Sequence, residues 1–166
     1  QASSSAASDV YKRQIIDAGD VLIIGAGLAG LFTALKLAPR PVTVLTSGKR
    51  SKSAASNWAQ GGIAAALAPG DNVDAHAQDT CTAGAGLVDS AIARLVTSEA
   101  SERISDLESF GVRFDCDDEG GYIFGREAAH SHNRILSIYG DRTGREMMKA
   151  LHARAAATPS IDCLLY

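Results

Sequence analysis

Residues 20–38 read DVLIIGAGLAGLFTALKLA, and this stretch decides the fold. Its apolar run Val21–Ile24 is typical of a strand buried on both faces in a parallel sheet. From Leu28 onward, apolar residues recur at i, i+3, i+4 and i+7, which predicts a helix packed on one side. Pro39 stops that helix, and Val42–Thr46 is a second strand rich in β-branched residues. Strand, helix and strand in this order predict a right-handed βαβ unit.

Three glycines occupy the turn between the first strand and the helix, in the spacing G-x-G-x-x-G. Gly25 allows the tight turn, Gly27 lets the backbone approach a pyrophosphate, and Gly30 lets the helix pack close to the strand. A pyrophosphate would then lie at the positive N-terminus of the helix. In this strand–turn–helix context the motif predicts dinucleotide binding. The alternative is a glycine-rich turn inside an ordinary doubly wound sheet.

The end of the second strand departs from the usual dinucleotide pattern. An acidic residue that binds the ribose hydroxyls is expected about 20 residues after the glycines, but this chain has Ser47, Gly48, Lys49 and Arg50 there. Ser47 offers a weaker hydrogen bond to a ribose. Lys49 and Arg50 are either a solvated loop or a site for a 2′-phosphate, so an NADP-binding module stays an alternative.

Composition narrows the classes of protein further. The chain has 166 residues, 46% hydrophobic and 21% charged, with a net charge of −3. This balance predicts one folded domain and offers neither the basic surface of a nucleic-acid-binding protein nor a membrane-spanning run. Three widely spaced cysteines favour a reducing cytoplasm over a disulfide framework. Residues 1–19 have no signal-peptide pattern and are interpreted as a disordered lead-in or a cloning scar.

Two further helices are predicted between residues 72 and 111. The first covers 72–81 and is closed by Gly84 and Gly86; the second is capped by Asp89 and ended by Gly111. The expected core stripe of the second helix consists of Ile92, Leu95, Val96, Ile104 and Leu107.

Shorter elements are predicted in the second half of the chain. Residues 112–114 and 122–124 are expected to be strands, and Ile161–Leu165 is expected to be the last strand. Thr143 and Glu146 have the spacing of a capping box that opens a helix with Met147 and Met148 in its core.

Several charged and histidine side chains have competing interpretations. His130 and His132 would share one face of a strand, as metal ligands do, but no third ligand has matching spacing. His76 and Asp79 are expected to be a solvated pair on a helix. Arg134, Arg142 and Arg145 either provide positive potential for a dicarboxylate or pair with Asp141 and Glu146.

Four motifs together resemble the L-aspartate oxidase family, a branch of the succinate dehydrogenase/fumarate reductase flavoproteins. They are NWAQGGIAA at 57–65, Asp79-Thr80 before AGAGL at 83–87, REAAHS at 126–131, and TGRE at 143–146. The resemblance covers about residues 20 to 165. It implies a truncated α/β fold, namely the Rossmann-like FAD-binding βαβ unit of a doubly wound parallel sheet. Residues 20–166 would be the N-terminal part of the FAD-binding domain. The rest of that domain and a capping domain would be absent.

The resemblance also implies an activity. Members oxidise L-aspartate to iminoaspartate with FAD, pass the electrons to oxygen or fumarate, and start NAD biosynthesis in the cytoplasm. It offers the next enzyme of quinolinate synthesis as a partner, and it implies no nucleic acid or membrane partner. This chain alone is expected to be inactive and to bind FAD poorly.

Individual site residues are likewise carried over from the resemblance. Ala26, Leu28 and Ala29, with the glycines around them, would wrap the FAD pyrophosphate. Glu127 matches the carboxylate that orients aspartate, and His130 and Ser131 are weaker candidates beside it. The segment that would line the flavin consists of Ala55, Ser56, Asn57, Trp58, Ala59, Gln60, Gly61 and Gly62.

Two departures from the family qualify the cofactor site. Members often carry Ser-Lys after the second strand to contact the cofactor, whereas this chain has Ser47-Gly48, with the lysine displaced to Lys49. Ala55 stands where the covalent-flavin branch has histidine, and alanine forms no histidyl–flavin bond, so FAD would be held non-covalently. The alternatives are an NADP-binding module, another fumarate reductase-type flavoprotein, or a non-catalytic chain that only associates.

Overall fold

The computed structural model describes residues 20–47 and 54–165. The predicted βαβ unit is confirmed: β1 is Val21–Ile24, α1 is Leu28–Leu37 and β2 is Val42–Thr46. The last predicted strand is also present as β6, Ile161–Leu165. These strands form a parallel sheet in the order β1-β2-β6. The α/β class and the parallel sheet are therefore as the sequence predicts.

One face of the parallel sheet packs against α1 and α4, which spans Thr143–Ala156. Alternate strand residues point into this layer, and Val44 is completely buried there. The predicted core role of Met147 and Met148 is confirmed, since both are buried. The centre of this layer consists of Leu31, Ala34, Leu35, Val42, Val44, Met147, Met148, Leu151 and Ile161.

The opposite face of the sheet is open at β1. Leu22 and Ile24 are 52% and 76% exposed, so the prediction of a strand buried on both faces is wrong for the described residues. β1 is an edge strand of this sheet, and only its inward residues Val21 and Ile23 pack against the core. A continuous apolar run indicates that both faces can be buried; whether they are depends on elements far away in the chain.

A second, antiparallel sheet lies beside the first helical layer. It joins β3 (Ile63–Ala64), β5 (Ile135–Leu136) and β4 (Phe124–Gly125) in that spatial order. The strand expected at 122–124 thus begins two residues late. The strand expected at 112–114 does not form, although Val112 and Phe114 are buried, because this part of the chain makes single backbone hydrogen bonds rather than a ladder.

The two predicted middle helices are confirmed as α2, Val73–Ala83, and α3, Ser90–Ser109. The side chains of Asn72 and Asp89 accept hydrogen bonds from the first turns of these helices, so both caps are local in origin. The core stripe predicted for α3 is right for two of its five members and wrong for three. Ile104 and Leu107 are buried, whereas the other three predicted members, Ile92, Leu95 and Val96, are exposed; Ala93 and Thr97 are buried in that half of the helix.

The capping box predicted for α4 is wrong. Arg142 is the N-cap residue, and Thr143 is already the first residue of the helix. The hydroxyl of Thr143 instead accepts a hydrogen bond from the Ile138 backbone N–H, which stabilises the chain segment before the helix. Within the described part of the chain, no helix has both the length and the apolarity needed to span a bilayer.

Candidate functional site

The glycine turn has the geometry that its sequence predicts. Gly25 has φ +108°, a backbone conformation that glycine adopts without strain, and its N–H donates to the Leu45 carbonyl at 2.7 Å. A Cβ at Gly30 would overlap the Gly25 carbonyl, so only glycine lets α1 lie this close to the turn. The turn therefore places the N-terminus of α1 directly beyond the end of β1.

Residues 54–58 pack against this helix N-terminus. The Leu28 N–H donates to Ser56 Oγ at 3.3 Å, and a Cβ at Gly27 would lie 3.7 Å from the same oxygen. Ala55–Trp58 forms a single 3-10 turn with no buried residue of its own. The predicted pyrophosphate segment, with Ala26 and Ala29 on either side of Gly27 and Leu28, and the predicted flavin segment are thus adjacent.

The N-terminus of α4 holds the other side of the 3-10 turn. The Gly144 N–H donates to the Ala59 carbonyl at 3.0 Å. A Cβ at Gly144 would overlap the Ser56 carbonyl and lie 2.8 Å from the Ala59 oxygen. Gly144 is buried, so the absence of a side chain is what allows α4 and the 3-10 turn to touch.

A cleft of about 480 Å³ opens beside the 3-10 turn, between it and the N-terminal end of α4. Trp58 in its wall is 73% exposed. Asn57 Nδ2 is buried and has no hydrogen-bond partner among the described residues, and Arg142 and Arg145 supply positive charge. An unpaired buried amide donor beside two arginines fits a ligand with acceptor oxygens. The lining consists of Asn57, Trp58, Ala59, Gln60, Asp141, Arg142 and Arg145.

Gly61 and Gly62 connect this segment to the second sheet. A Cβ at Gly62 would overlap the Leu136 carbonyl and the Ile135 side chain, so the chain enters β3 in direct backbone contact with β5. A Cβ at Gly61 would lie 3.7 Å from Glu127 Oε1. The exposed Glu127 carboxylate thus faces the exposed backbone of Gly61, although the two residues are far apart in the sequence.

The sequence analysis named Arg134 but not its partners, with which it forms a buried ionic network. Arg134 is fully buried and donates two 2.8 Å hydrogen bonds to Asp71 and one of 2.8 Å to Asp79. Its predicted pairing with Asp141 or Glu146 is therefore wrong. The partners lie 63 and 55 residues away in the sequence, so no local spacing could have indicated them.

These contacts shift the pKa values of the acids. Burial raises the pKa of Asp79, but hydrogen bonds from Ser131 and Arg134 outweigh it and lower that pKa to about 2. For Asp71, burial likewise opposes the hydrogen bond from Arg134, and the pKa is lowered. Both acids are therefore ionised at neutral pH, so two negative charges face the single positive charge of Arg134.

His76 is 6% exposed, so its predicted solvated pair with Asp79 is also wrong. Burial, together with the positive charge of Arg134, lowers the pKa of His76 and keeps it neutral. Its ring packs edge-on against the half-buried ring of His130 at 5.6 Å. His130 Nδ1 lies 3.3 Å from Arg134 Nη1. Within residues 20–47 and 54–165, no group of three or more potential metal-ligating side chains comes together around His130 and His132.

The end of β2 leaves one sequence prediction open. Ser47 is exposed just beyond this strand. Gly48, Lys49 and Arg50 lie outside the described residues, as do residues 1–19. The doubtful ribose contact at Ser47 and Gly48 and the 2′-phosphate alternative therefore stay predictions.

Comparison with known proteins agrees with this geometry. Residues 20–165 match the family model described as FAD binding domain. The chain is 47% identical over 143 residues to L-aspartate oxidase of Agrobacterium fabrum, covering 86% of this chain and 27% of the relative. It is 39% identical to L-aspartate oxidase 2-b, chloroplastic, of Nicotiana tabacum, and the match covers 86% of this chain and 22% of that relative. The chain thus spans about a quarter of the length of such relatives.

Solved structures show the same architecture. The Mycobacterium smegmatis Sdh1 complex in the apo form matches with a TM-score of 0.79 and 29% identity, covering 88% of this chain and 27% of that one. Escherichia coli quinol fumarate reductase matches with a TM-score of 0.78 and 23% identity, covering 87% of this chain and 25% of that one. This likeness shows a shared fold.

Proposed function

This chain belongs to the FAD binding domain family, and from that membership we propose that it is the N-terminal part of the FAD-binding domain of an L-aspartate oxidase. One observation carries the proposal. The segment 54–62 touches the glycine turn through Ser56 and faces the Glu127 carboxylate at Gly61. A cofactor-binding turn and a substrate-binding carboxylate therefore lie at opposite ends of one short segment.

The described residues fit FAD in three places. Gly25 to Gly30, with Ala26, Leu28 and Ala29 between the glycines, offer a helix N-terminus to a pyrophosphate, at which the Leu28 N–H also donates to Ser56 Oγ. The 3-10 turn offers the unpaired Asn57 amide and an exposed indole at Trp58. Ala59, Gln60, Gly61 and Gly62 complete the flavin side of the proposed site, with exposed positions at 59–61. Ala55 provides no nucleophile, so FAD is held non-covalently.

Oxidation of L-aspartate to iminoaspartate removes a hydride from Cα and a proton from the amino group. FAD supplies the hydride acceptor when bound and is reoxidised by oxygen or fumarate. Glu127 accepts hydrogen bonds from the substrate ammonium group and orients the single Cα–H bond toward the cofactor. His130 is the weaker catalytic candidate, because its Nδ1 faces Arg134 within the buried network.

The remaining parts of the proposal concern the whole protein. The chain spans 27% of its Agrobacterium relative, so we propose that this chain by itself does not turn over aspartate and binds FAD weakly. We also propose a cytoplasmic enzyme of NAD biosynthesis, with the next enzyme of quinolinate synthesis as a partner. The name L-aspartate oxidase supports the metabolic role, and the widely spaced cysteines support a reducing compartment.

The proposal is tested on the full-length protein. We expect a flavin absorption spectrum, L-aspartate oxidation with oxygen or fumarate as acceptor, and no NADP binding. Glu127→Gln is expected to raise KM for L-aspartate about tenfold or more, because it removes a charge-assisted hydrogen bond. Glu119→Gln, at an exposed acid in the 117–120 turn, is the matched control and should leave KM unchanged. Bound NADP, or an unchanged KM in Glu127→Gln, contradicts the proposal.

A further inference from the structure

The loop that carries Glu127 is the connection 126–134 between β4 and β5. Its two ends are closed by the β4–β5 pairing and by the Arg134 N–H, which donates to the Gly125 carbonyl at 3.0 Å. Within the loop, the His130 N–H donates to the Glu127 carbonyl at 3.0 Å. These bonds shape the loop but attach it only to its own hairpin. β5 is also paired with β3, and Arg134 is bonded to Asp71, but neither of these contacts reaches residues 127–131.

Asp79 of α2 contacts this part of the loop. A single carboxylate oxygen of Asp79 accepts from the Ser131 backbone N–H at 2.8 Å and from the Ser131 hydroxyl at 2.7 Å. The same oxygen accepts from Arg134 Nη1 at 2.8 Å. All three are charge-assisted bonds. The bond to the fully buried Arg134 is largely desolvated, since the Asp79 side chain is 17% exposed, whereas the two bonds to the exposed Ser131 are open to solvent. The far end of the loop is thereby fastened to a helix.

The attachment is transmitted to Glu127 through the loop backbone. The Arg126 side chain donates from Nε to the His130 carbonyl at 2.9 Å, while the His130 N–H holds the Glu127 carbonyl. Fixing Ser131 therefore fixes the turn 127–130 that directs the Glu127 carboxylate toward Gly61. Asp79 itself lies on α2, outside the hairpin, and its carboxylate bonds to Ser131 and Arg134.

We propose that Asp79 is a positioning residue for the amino-acid substrate, acting through Ser131 on the loop that presents Glu127. This inference rests on the proposed function, in which Glu127 binds the substrate ammonium group. A loop that is free at its far end must lose conformational entropy when the substrate binds, and a fastened loop has already lost it. Loss of the Asp79 contact therefore weakens substrate binding rather than cofactor binding.

The test is a double-mutant cycle in the full-length protein with Asp79→Asn and Glu127→Gln. The asparagine side chain keeps an acceptor oxygen but carries no charge, and Asp71 still neutralises Arg134, so Asp79→Asn is expected to fold. We expect this variant to lower kcat/KM for L-aspartate about tenfold, mainly through KM, with an unchanged Kd for FAD. In the Glu127→Gln background, the same substitution is expected to change kcat/KM by less than about twofold.

Two further variants keep the result interpretable. Asp74→Asn is the matched control, since Asp74 is also on α2 but pairs with Arg94 on the exposed surface; its kinetics should be those of wild type. Ser131→Ala removes one of the bonds to Asp79 without a change of charge, and it takes the place of Asp79→Asn in the cycle if that variant does not fold.

The outcomes separate this inference from the proposed function. A loss of kcat/KM that is equal in the wild-type and Glu127→Gln backgrounds overturns the positioning role while leaving Glu127 as the substrate carboxylate. An unchanged KM for L-aspartate in Glu127→Gln alone overturns the proposed function and the inference together. A raised Kd for FAD in Asp79→Asn, with unchanged KM, also overturns the inference.

Discussion

Gly144→Ala is expected to weaken FAD binding although Gly144 lies on α4, on the far side of the 3-10 turn from the glycine loop. The added Cβ would overlap the Ser56 carbonyl and come within 2.8 and 2.9 Å of the Ala59 oxygen and Cβ. All three atoms belong to the segment that contacts the α1 N-terminus. Either α4 or this segment must move.

The structure indicates which one moves. Next to Gly144, α4 is fixed in the core by Met147, Met148 and Leu151, which are all buried, whereas the 3-10 turn Ala55–Trp58 buries no residue. The displaced element is therefore the 3-10 turn. Overpacking of this kind costs about 1–3 kcal/mol. If FAD binding requires the turn to return to its place, the same energy raises Kd about 5- to 150-fold.

The assay is a titration of the full-length apoprotein with FAD, followed by flavin fluorescence, together with thermal unfolding of the same samples. We expect Gly144→Ala to unfold within a few degrees of wild type without FAD, while its Kd rises by the stated factor. Gly125→Ala is the matched control, because a Cβ there meets only ordinary contacts at 3.7 Å. A Kd within about twofold of wild type in Gly144→Ala, or an equal rise in Gly125→Ala, would refute the reasoning.

Two predictions concern the buried ionic network. Arg134→Met should lower the free energy of unfolding by about 3–5 kcal/mol in urea titrations, because it leaves the Asp71 and Asp79 carboxylates without their cation; a loss below about 1 kcal/mol would contradict this. The pKa of His76 lies below its ordinary value of 6.5, so the unfolded chain binds the proton more readily, and the free energy of unfolding should fall as pH drops below 6.5. His76→Gln should make the free energy of unfolding depend less on pH in this range. Asp79 also stabilises the fold, because its pKa is about 2 in the folded chain against an ordinary value of 3.8. That stabilisation is lost only as the pH falls from about 4 through 2.

Features encoded by neighbouring residues could be predicted from the sequence. The β1–α1–β2 unit depends on apolar periodicity and glycine spacing within one short stretch, and the caps at Asn72 and Asp89 act on the next three residues. The family motifs likewise placed 55–62 and Glu127 in one site, and the structure brings Gly61 and Glu127 together.

Features that depend on distant partners could not be predicted. Arg134 looks like other arginines in the sequence, and only the fold shows that Asp79 on α2 and Asp71, just before α2, supply its two carboxylates. The same limit applies to Ile92 and Leu22, whose apolar patterns indicate burial but not the element that would cover them. At Thr143 the predicted capping box does not form, because the Thr143 hydroxyl accepts a hydrogen bond from the Ile138 N–H instead.

The segment 54–62 has little structure of its own, and this explains how the candidate site is controlled. Its only described regular secondary structure is the 3-10 turn Ala55–Trp58, which buries no side chain, and it ends where the two-residue strand β3 begins. Its position is set by outside contacts: the α1 N-terminus at Ser56, α4 at Ala59, and β5 at Gly62. At the last two contacts a glycine lets the backbones approach, since a Cβ at Gly144 or Gly62 would overlap backbone atoms of the other element, whereas the contact with α1 is the Leu28 N–H to Ser56 Oγ bond. The core therefore positions the proposed flavin segment through its backbone, while the side chains at Asn57 and Trp58 are left to face a ligand.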